Sequence, residues 1–170
     1  FEIVNALKKI EHNHKMLSLE KTKDIGEIAT FIDSREYVAM AKMDGLTCSL
    51  RYSNGRLVAA ETRGNGVVGE DILHNARVIP SIPKVIPYIQ DLTVDGEIVC
   101  KLSDFINFSN EYKNPRNFAS GSIRLLDSKE CSKRNLTFIG WDIINDVNGY
   151  SLFTEKLNYL DELGFTVVPF

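Results

Sequence analysis

Lys42-Met43-Asp44-Gly45 places an amine two residues before a carboxylate that opens an Asp-Gly turn. Such a lysine can serve as a nucleophile held beside a carboxylate at a strand end. The pattern has one free position and arises often by chance. Alone it reads first as an exposed hairpin lysine beside an ordinary turn. It gains weight from the blocks that follow in order: Thr62-Arg63-Gly64, Val94-Asp95-Gly96-Glu97 and Asn114-Pro115-Arg116-Asn117-Phe118-Ala119-Ser120-Gly121-Ser122. Between Lys113 and Arg134, six cations (Lys113, Arg116, Arg124, Lys129, Lys133, Arg134) stand against Asp127 and Glu130. This basic stretch reads as a solvated face or as a phosphate-binding patch.

Several elements are expected to position these groups. Ile3, Val4, Leu7 and Ile10 recur at helical spacing, which predicts an amphipathic helix over the first ten residues. A loop or short extended segment covers His14 to Leu19. Asp24-Ile25-Gly26-Glu27 is a capping box, opening a helix with Ile25, Ile28, Ala29 and Ile32 on its buried face. Glu36 to Ala41 reads as a strand. Leu46 to Tyr52 and Arg56 to Thr62 read as a hairpin, because Asn54-Gly55 suits the positive φ angles of a tight turn. A Gly-rich loop, Gly64 to Gly69, leads to a short helix around Asp71 to Arg77. Leu92 to Cys100 reads as a strand, and Ser103 caps a helix reaching Tyr112. After Asn114-Pro115 a further helical turn starts near Arg116. Leu136 to Ile144 is a strand. Thr154 opens a helix with Leu157, Leu160 and Leu163 inward, ended by Gly164, and Thr166 to Val168 starts a last strand. Hairpin-joined strands mixed with helices predict an α+β fold rather than a doubly wound sheet. Gly64, Gly66 and Gly69 match GxGxxG by letter, but the preceding strand belongs to a hairpin and no βαβ unit accompanies it, which speaks against a dinucleotide fingerprint.

The 170 residues suffice for one domain with a real core. Hydrophobic residues make up 44% and charged residues 25%, an ordinary globular composition. No apolar run approaches the roughly 20 residues of a membrane helix. Cys48, Cys100 and Cys131 lack CxxC spacing and read as reduced thiols of a cytoplasmic protein, and His12, His14 and His74 do not join them at zinc-ligand spacing. A net charge of −3 argues against a chain that is basic overall. Phe1 in place of an initiator methionine leads us to expect a longer parent polypeptide.

Taken together, the blocks resemble the adenylation (nucleotidyltransferase) domain of bacterial-type NAD⁺-dependent DNA ligases. The similarity runs over nearly the whole chain. It includes Met16-Leu17-Ser18-Leu19, Lys42-Met43-Asp44-Gly45-Leu46, Tyr52-Ser53-Asn54-Gly55, Thr62-Arg63-Gly64-Asn65-Gly66 with Gly69-Glu70-Asp71, and Gly96-Glu97-Ile98. It continues through Asn114-Pro115-Arg116-Asn117, Gly121-Ser122-Ile123-Arg124 and Leu125-Leu126-Asp127. The resemblance implies antiparallel sheets around a nucleotide cleft and a three-step reaction assisted by Mg²⁺. A lysine attacks the α-phosphate of NAD⁺ and releases nicotinamide mononucleotide (NMN). AMP passes to the 5′-phosphate of nicked double-stranded DNA, and the 3′-hydroxyl then displaces AMP.

By that resemblance Lys42 is the nucleophile, and its amine must be neutral to attack, through burial, a neighbouring cation or a metal ion. On a strand, Asp44 would share a face with it and support the metal-assisted steps. Glu97 would lie at the ribose and near the metal, as Asp44 would. Arg63 would meet the ribose side of the nucleotide or the 3′ end of the nick. Arg116 and Arg124 match phosphate-contacting arginines; on one helix they would stand roughly 80° apart, within reach of one groove. Trp141 falls where an aromatic stacks on adenine, the alternative being a buried core tryptophan. Ser18 and Leu19 match the segment beside adenine and ribose. Met40 stands where the family usually has a glutamate reading the adenine amino group. A thioether packs on a base but does not accept that bond strongly, so adenine selection is expected to be weaker or to rest on backbone groups.

The expected whole is a monomeric cytoplasmic ligase of which this chain is the larger part of the adenylation domain. The small NMN-binding domain, the later phosphate-binding lysines and the OB-fold, zinc and helix-hairpin-helix modules are expected outside these 170 residues. Two other readings differ in outcome: a nucleotide- or nick-binding fragment without catalysis, and an ATP-dependent ligase or capping-type transferase sharing the KxDG chemistry.

Overall fold

The computed structural model describes residues 1–170. In chain order it contains β1 (Lys9–Glu11), α1 (Ile25–Ile32), β2 (Leu46–Ser53), β3 (Arg56–Thr62), β4 (Val68–Glu70), α2 (Leu73–Ala76), β5 (Leu92–Cys100) and α3 (Leu102–Phe105). A 3-10 turn (Ile106–Phe108) follows, then α4 (Pro115–Ile123), α5 (Ser128–Ser132), β6 (Leu136–Ile143) and α6 (Phe153–Glu162). The main sheet has the order β3-β2-β5-β6, antiparallel throughout, and β1 pairs antiparallel with β4 in a second, two-stranded sheet. This is the expected mixture of helices with antiparallel sheets.

Side-chain alternation explains which face of the main sheet carries the core. Cys48, Leu50 and Tyr52 of β2, Leu92, Val94 and Ile98 of β5, and Phe138 of β6 are buried against Phe118, Ala119 and Ile123 of α4 and Leu157 and Leu160 of α6. Phe118 stacks on Phe108 with ring centroids 4.5 Å apart and meets Tyr112 edge-on at 5.0 Å, which fixes α4 to the helical segment before it. The β2–β3 hairpin turns at Asn54 and Gly55, with φ of 49° and 71°. Gly164, at φ 93°, ends the last helical turn after α6 as expected. All three cysteines are free and buried. Burial holds the Cys48 thiol well above the usual range and pushes Cys131 up to about 12.

Several elements differ from the sequence expectation. No helix forms over residues 1–10. Val4 donates to Leu126 O (2.9 Å), Ser128 donates to Glu2 O (2.9 Å), and Lys9–Glu11 pairs with β4, so backbone partners far along the chain override the helical periodicity. Glu36 to Ala41 is not a strand; near the end of that segment, Ala41 N–H donates to Pro169 O at 3.0 Å. α1 forms where expected, capped by Asp24 Oδ1 on Glu27 N–H (3.0 Å), yet none of its residues is buried. Ile25 and Phe31 are largely exposed, so the apolar stripe lies open. The helix expected from Ser103 to Tyr112 starts at Leu102 and tightens into the 3-10 turn by Ile106. Thr166 to Val168 contributes one parallel bridge, Val167 to Gly140, rather than a strand.

Candidate active site

Lys42, Met43 and Asp44 lie in the irregular segment entering β2, not on a strand, so the shared strand face expected of Lys42 and Asp44 does not arise. What fixes the segment is Gly45. A Cβ there would stand 2.0 Å from Ile98 O, so only glycine permits this approach to β5. Gly45 N–H donates to Glu97 Oε1 at 3.2 Å, and Thr47, paired with Glu97 in the β2–β5 register, also hydrogen-bonds that carboxylate. Burial raises the Glu97 carboxyl above its ordinary range, opposed by these two bonds and by the charges of Lys42 and Arg116. Arg116 Nη1 lies 3.6 Å from Asp44 Oδ1, both side chains being exposed. Lys42, Asp44, Glu97 and Arg116 therefore converge on the mouth of β5. Lys42 itself is exposed.

The Asn114-Pro115-Arg116-Asn117 block is a helix start. Asn114 Oδ1 accepts from Asn117 N–H at 2.8 Å and Pro115 takes the first helical position. This aims Arg116 toward Asp44 from the N-terminal turn of α4. Arg124 caps the other end, about 12 Å away along the axis. Its Nε donates to Glu70 Oε2 at 2.6 Å, and Nη1 donates to Ser120 O at 3.1 Å and to the Ser120 hydroxyl. The Arg124 bond is the main cause holding the Glu70 carboxyl below its ordinary range. The two arginines thus stand at the two ends of one helix, each facing a carboxylate.

Arg63 follows β3, and its N–H donates to Thr47 O at 3.0 Å, which ties it to the partner of Glu97. The loop after it is a tight hairpin turn. Gly64 has φ 54°, and Asn65 Oδ1 accepts from Val67 N–H (3.0 Å) and Val68 N–H (2.8 Å). The GxGxxG letters here shape the turn between β3 and β4, which lie in different sheets and are joined by the antiparallel bridge of Glu61 with Asp71, and no βαβ unit forms. Trp141 is half-buried and packs against the hydrophobic core; it sits at the register shift of the β5–β6 pair, between Gly140, opposite Gly96, and Asp142, opposite Asp95. Met40, Ser18 and Leu19 are exposed, and no hydrogen bond joins them to the Lys42–Glu97 group.

Sequence reasoning missed a polar row beside this group. Register aligns Glu61, Ser49, Asp95 and Asp142 across all four strands of the main sheet. The N-terminal segment lies over the row: His12 Nδ1 faces Glu61 Oε1 (3.1 Å), Asn13 Nδ2 donates to Thr93 Oγ1 (2.8 Å), and His14 Nε2 faces Asp95 Oδ2 (2.7 Å). Arg51 Nη2 donates to the other Glu61 oxygen at 2.8 Å. The sequence signal was present as polar residues at every second position, Thr93-Asp95-Glu97 and Thr47-Ser49-Arg51, opposite an apolar alternation. Ser49 Oγ, Asp95 Oδ1 and Asp142 Oδ1 are buried without a hydrogen-bond partner, Lys156 Nζ standing 3.8 Å from Asp142 Oδ1.

Burial, with Asp95 adding to it, pushes the Asp142 carboxyl up to about 6, against the opposing charges of Lys156 and His14. An acid that titrates higher in the folded state opposes folding once ionised, so its cost grows as pH rises from about 4 to about 6 and persists above. Discounted for its partial exposure, the cost is about 1 kcal/mol. Asp142→Asn is therefore expected to melt a few degrees above the parent at pH 7 and level with it at pH 4. Equal differences at both pH values would remove the assignment.

No group of three or more His, Cys, Asp or Glu side chains is arranged to hold a metal ion. Asp44 and Glu97 instead suit the mode in which Mg²⁺ takes one or two carboxylates together with substrate phosphates. No helix is long and apolar enough to cross a membrane.

Residues 4–170 match the family model described as the NAD-dependent DNA ligase adenylation domain. This chain belongs to that family. It is 42% identical over 177 aligned positions to a DNA ligase of Lachnoclostridium phytofermentans, covering 99% of the chain and 27% of the relative. A DNA ligase of Ruminiclostridium cellulolyticum is 40% identical, with 100% of this chain and 27% of that protein aligned. One from Metamycoplasma arthritidis is also 40% identical, over 96% of the chain and 27% of the relative. The chain thus spans about a quarter of the length of these family members.

Proposed function

We propose that this chain is the larger part of the nucleotidyltransferase unit of an NAD⁺-dependent DNA ligase, a monomer that self-adenylates and seals nicks in double-stranded DNA. The observation that carries the reading is the convergence of Lys42, Asp44 and Glu97 through Gly45, within a chain that matches the family from end to end. The neutral Lys42 amine attacks the α-phosphorus of NAD⁺. A nitrogen–phosphorus bond forms, the bridging oxygen–phosphorus bond breaks, and NMN leaves with the electron pair. Glu97 accepts hydrogen bonds from the ribose hydroxyls, Asp44 supports the attacking amine, and Trp141 stacks on adenine. Met40 packs near the base, with Ser18 and Leu19 along its edge. Mg²⁺, held by Asp44 and Glu97 with the phosphates, supplies neutralising charge when bound. AMP then passes to the 5′-phosphate of the nick, positioned by Arg116, Arg124 and Arg63, and the 3′-hydroxyl completes the seal. NMN-gripping and nick-clamping modules are assigned to the remaining length of the ligase.

Intact mass after incubation with Mg²⁺ and NAD⁺ tests this reading. An AMP-sized increase is expected with NAD⁺ and not with ATP. An increase with ATP alone would sink the NAD⁺ assignment, and nucleotide binding with no adduct would leave a binding fragment. Arg124→Ala should weaken nick binding and lower the salt slope of log K by about one, with adduct formation intact. An unchanged slope would remove Arg124 from the DNA face.

A further inference from the structure

His12 carries no role in the chemistry above, yet its side chain has no exposed surface. Its Nε2 lies 2.9 Å from Arg63 O and its Nδ1 lies 3.1 Å from Glu61 Oε1. A backbone carbonyl only accepts, so Nε2 carries the hydrogen that reaches Arg63 O, while Nδ1 faces the Glu61 carboxyl. The His12 backbone N–H donates to Val67 O at 2.9 Å. One residue therefore holds both limbs of the turn, Arg63 on the entering side and Val67 on the leaving side. Gly69 completes the fit: a Cβ there would meet His12 Cε1 at 2.9 Å and Thr62 O at 1.8 Å. The third glycine of the loop thus makes room for the imidazole.

We propose that His12 is a positioning residue for Arg63: anchored on the buried Glu61 carboxylate, its ring fixes the Arg63 carbonyl and so the Arg63–Gly66 turn beside the nucleotide group. The inference rests on the functional reading above for what Arg63 touches. The path is short, because Arg63 N–H already bonds to Thr47 O, and Thr47 pairs with Glu97. A shift of the turn moves Arg63 relative to the carboxylate at the ribose.

The test compares His12→Gln and His12→Asn in the full-length ligase. Glutamine places an amide donor near the Nε2 position, toward Arg63 O; asparagine places one near Nδ1, toward Glu61. His12→Gln is expected to keep the NAD⁺ KM within about threefold of the parent, and His12→Asn to raise it about tenfold. In an Arg63→Ala background His12→Asn should add nothing, since its effect runs through Arg63. The reverse pattern, rescue by asparagine alone, would make His12 only a partner for the buried Glu61 charge and overturn the proposal, as would multiplicative losses in the double variant. A readout independent of activity is exchange of the Gly66 amide, which donates to Arg63 O at 2.9 Å. It should quicken about tenfold in His12→Asn and stay slow in His12→Gln; unchanged exchange in both sinks the bracket. Should the parent form no AMP adduct from NAD⁺, the functional reading falls, and the exchange result alone decides whether His12 holds the turn.

Discussion

Lys42→Ala leaves no AMP adduct on the protein after incubation with Mg²⁺ and NAD⁺. The expected loss is at least about a thousandfold, because no other amine in the group can form the bond to phosphorus. The variant should melt within about 0.5 kcal/mol of the parent, since Lys42 is exposed and makes no hydrogen bond. Sealing of a nick that already carries AMP on its 5′-phosphate should survive, because that step no longer needs the amine. Adduct formation at the parent level in the variant would place the nucleophile elsewhere.

Gly45→Ala should cost both stability and chemistry although it touches no reacting group. Its Cβ would press on Ile98 O at 2.0 Å, on backbone of the central strand that cannot rotate aside. Relief requires the segment carrying Lys42 and Asp44 to lift away from β5, breaking the Gly45 N–H to Glu97 bond. We expect a loss of about 3 kcal/mol in denaturant unfolding. Adduct formation should fall at least about a hundredfold even where the protein is folded, because lysine and carboxylate lose their mutual placement. A variant with the parent's unfolding midpoint and adduct rate would show that the approach of Gly45 to β5 is not what holds the site.

The parts legible in the sequence are those whose causes are local. Asn54-Gly55 announces its turn, the alternation of β5 gives its two faces, and Leu157 and Leu160 give the inward side of α6. The same reading failed at residues 1–10, where helical spacing is real but the backbone finds partners at residues 126, 128 and 68–70. Lys42, Asp44, Glu97 and Arg116 were nameable because motif blocks carry them. His12, His14 and the row from Glu61 to Asp142 were not, because their meaning arises only when register aligns four strands that are distant in sequence.

The three sealed thiols make the molecule its own recorder of motion. Cys48 lies inside β2, Cys100 at the end of β5 and Cys131 in α5. A buried, protonated thiol does not react with an alkylating reagent until its surroundings part. The order in which the three are modified in the native protein therefore ranks how readily the hairpin sheet, the central strand and the small helix open, with no label introduced.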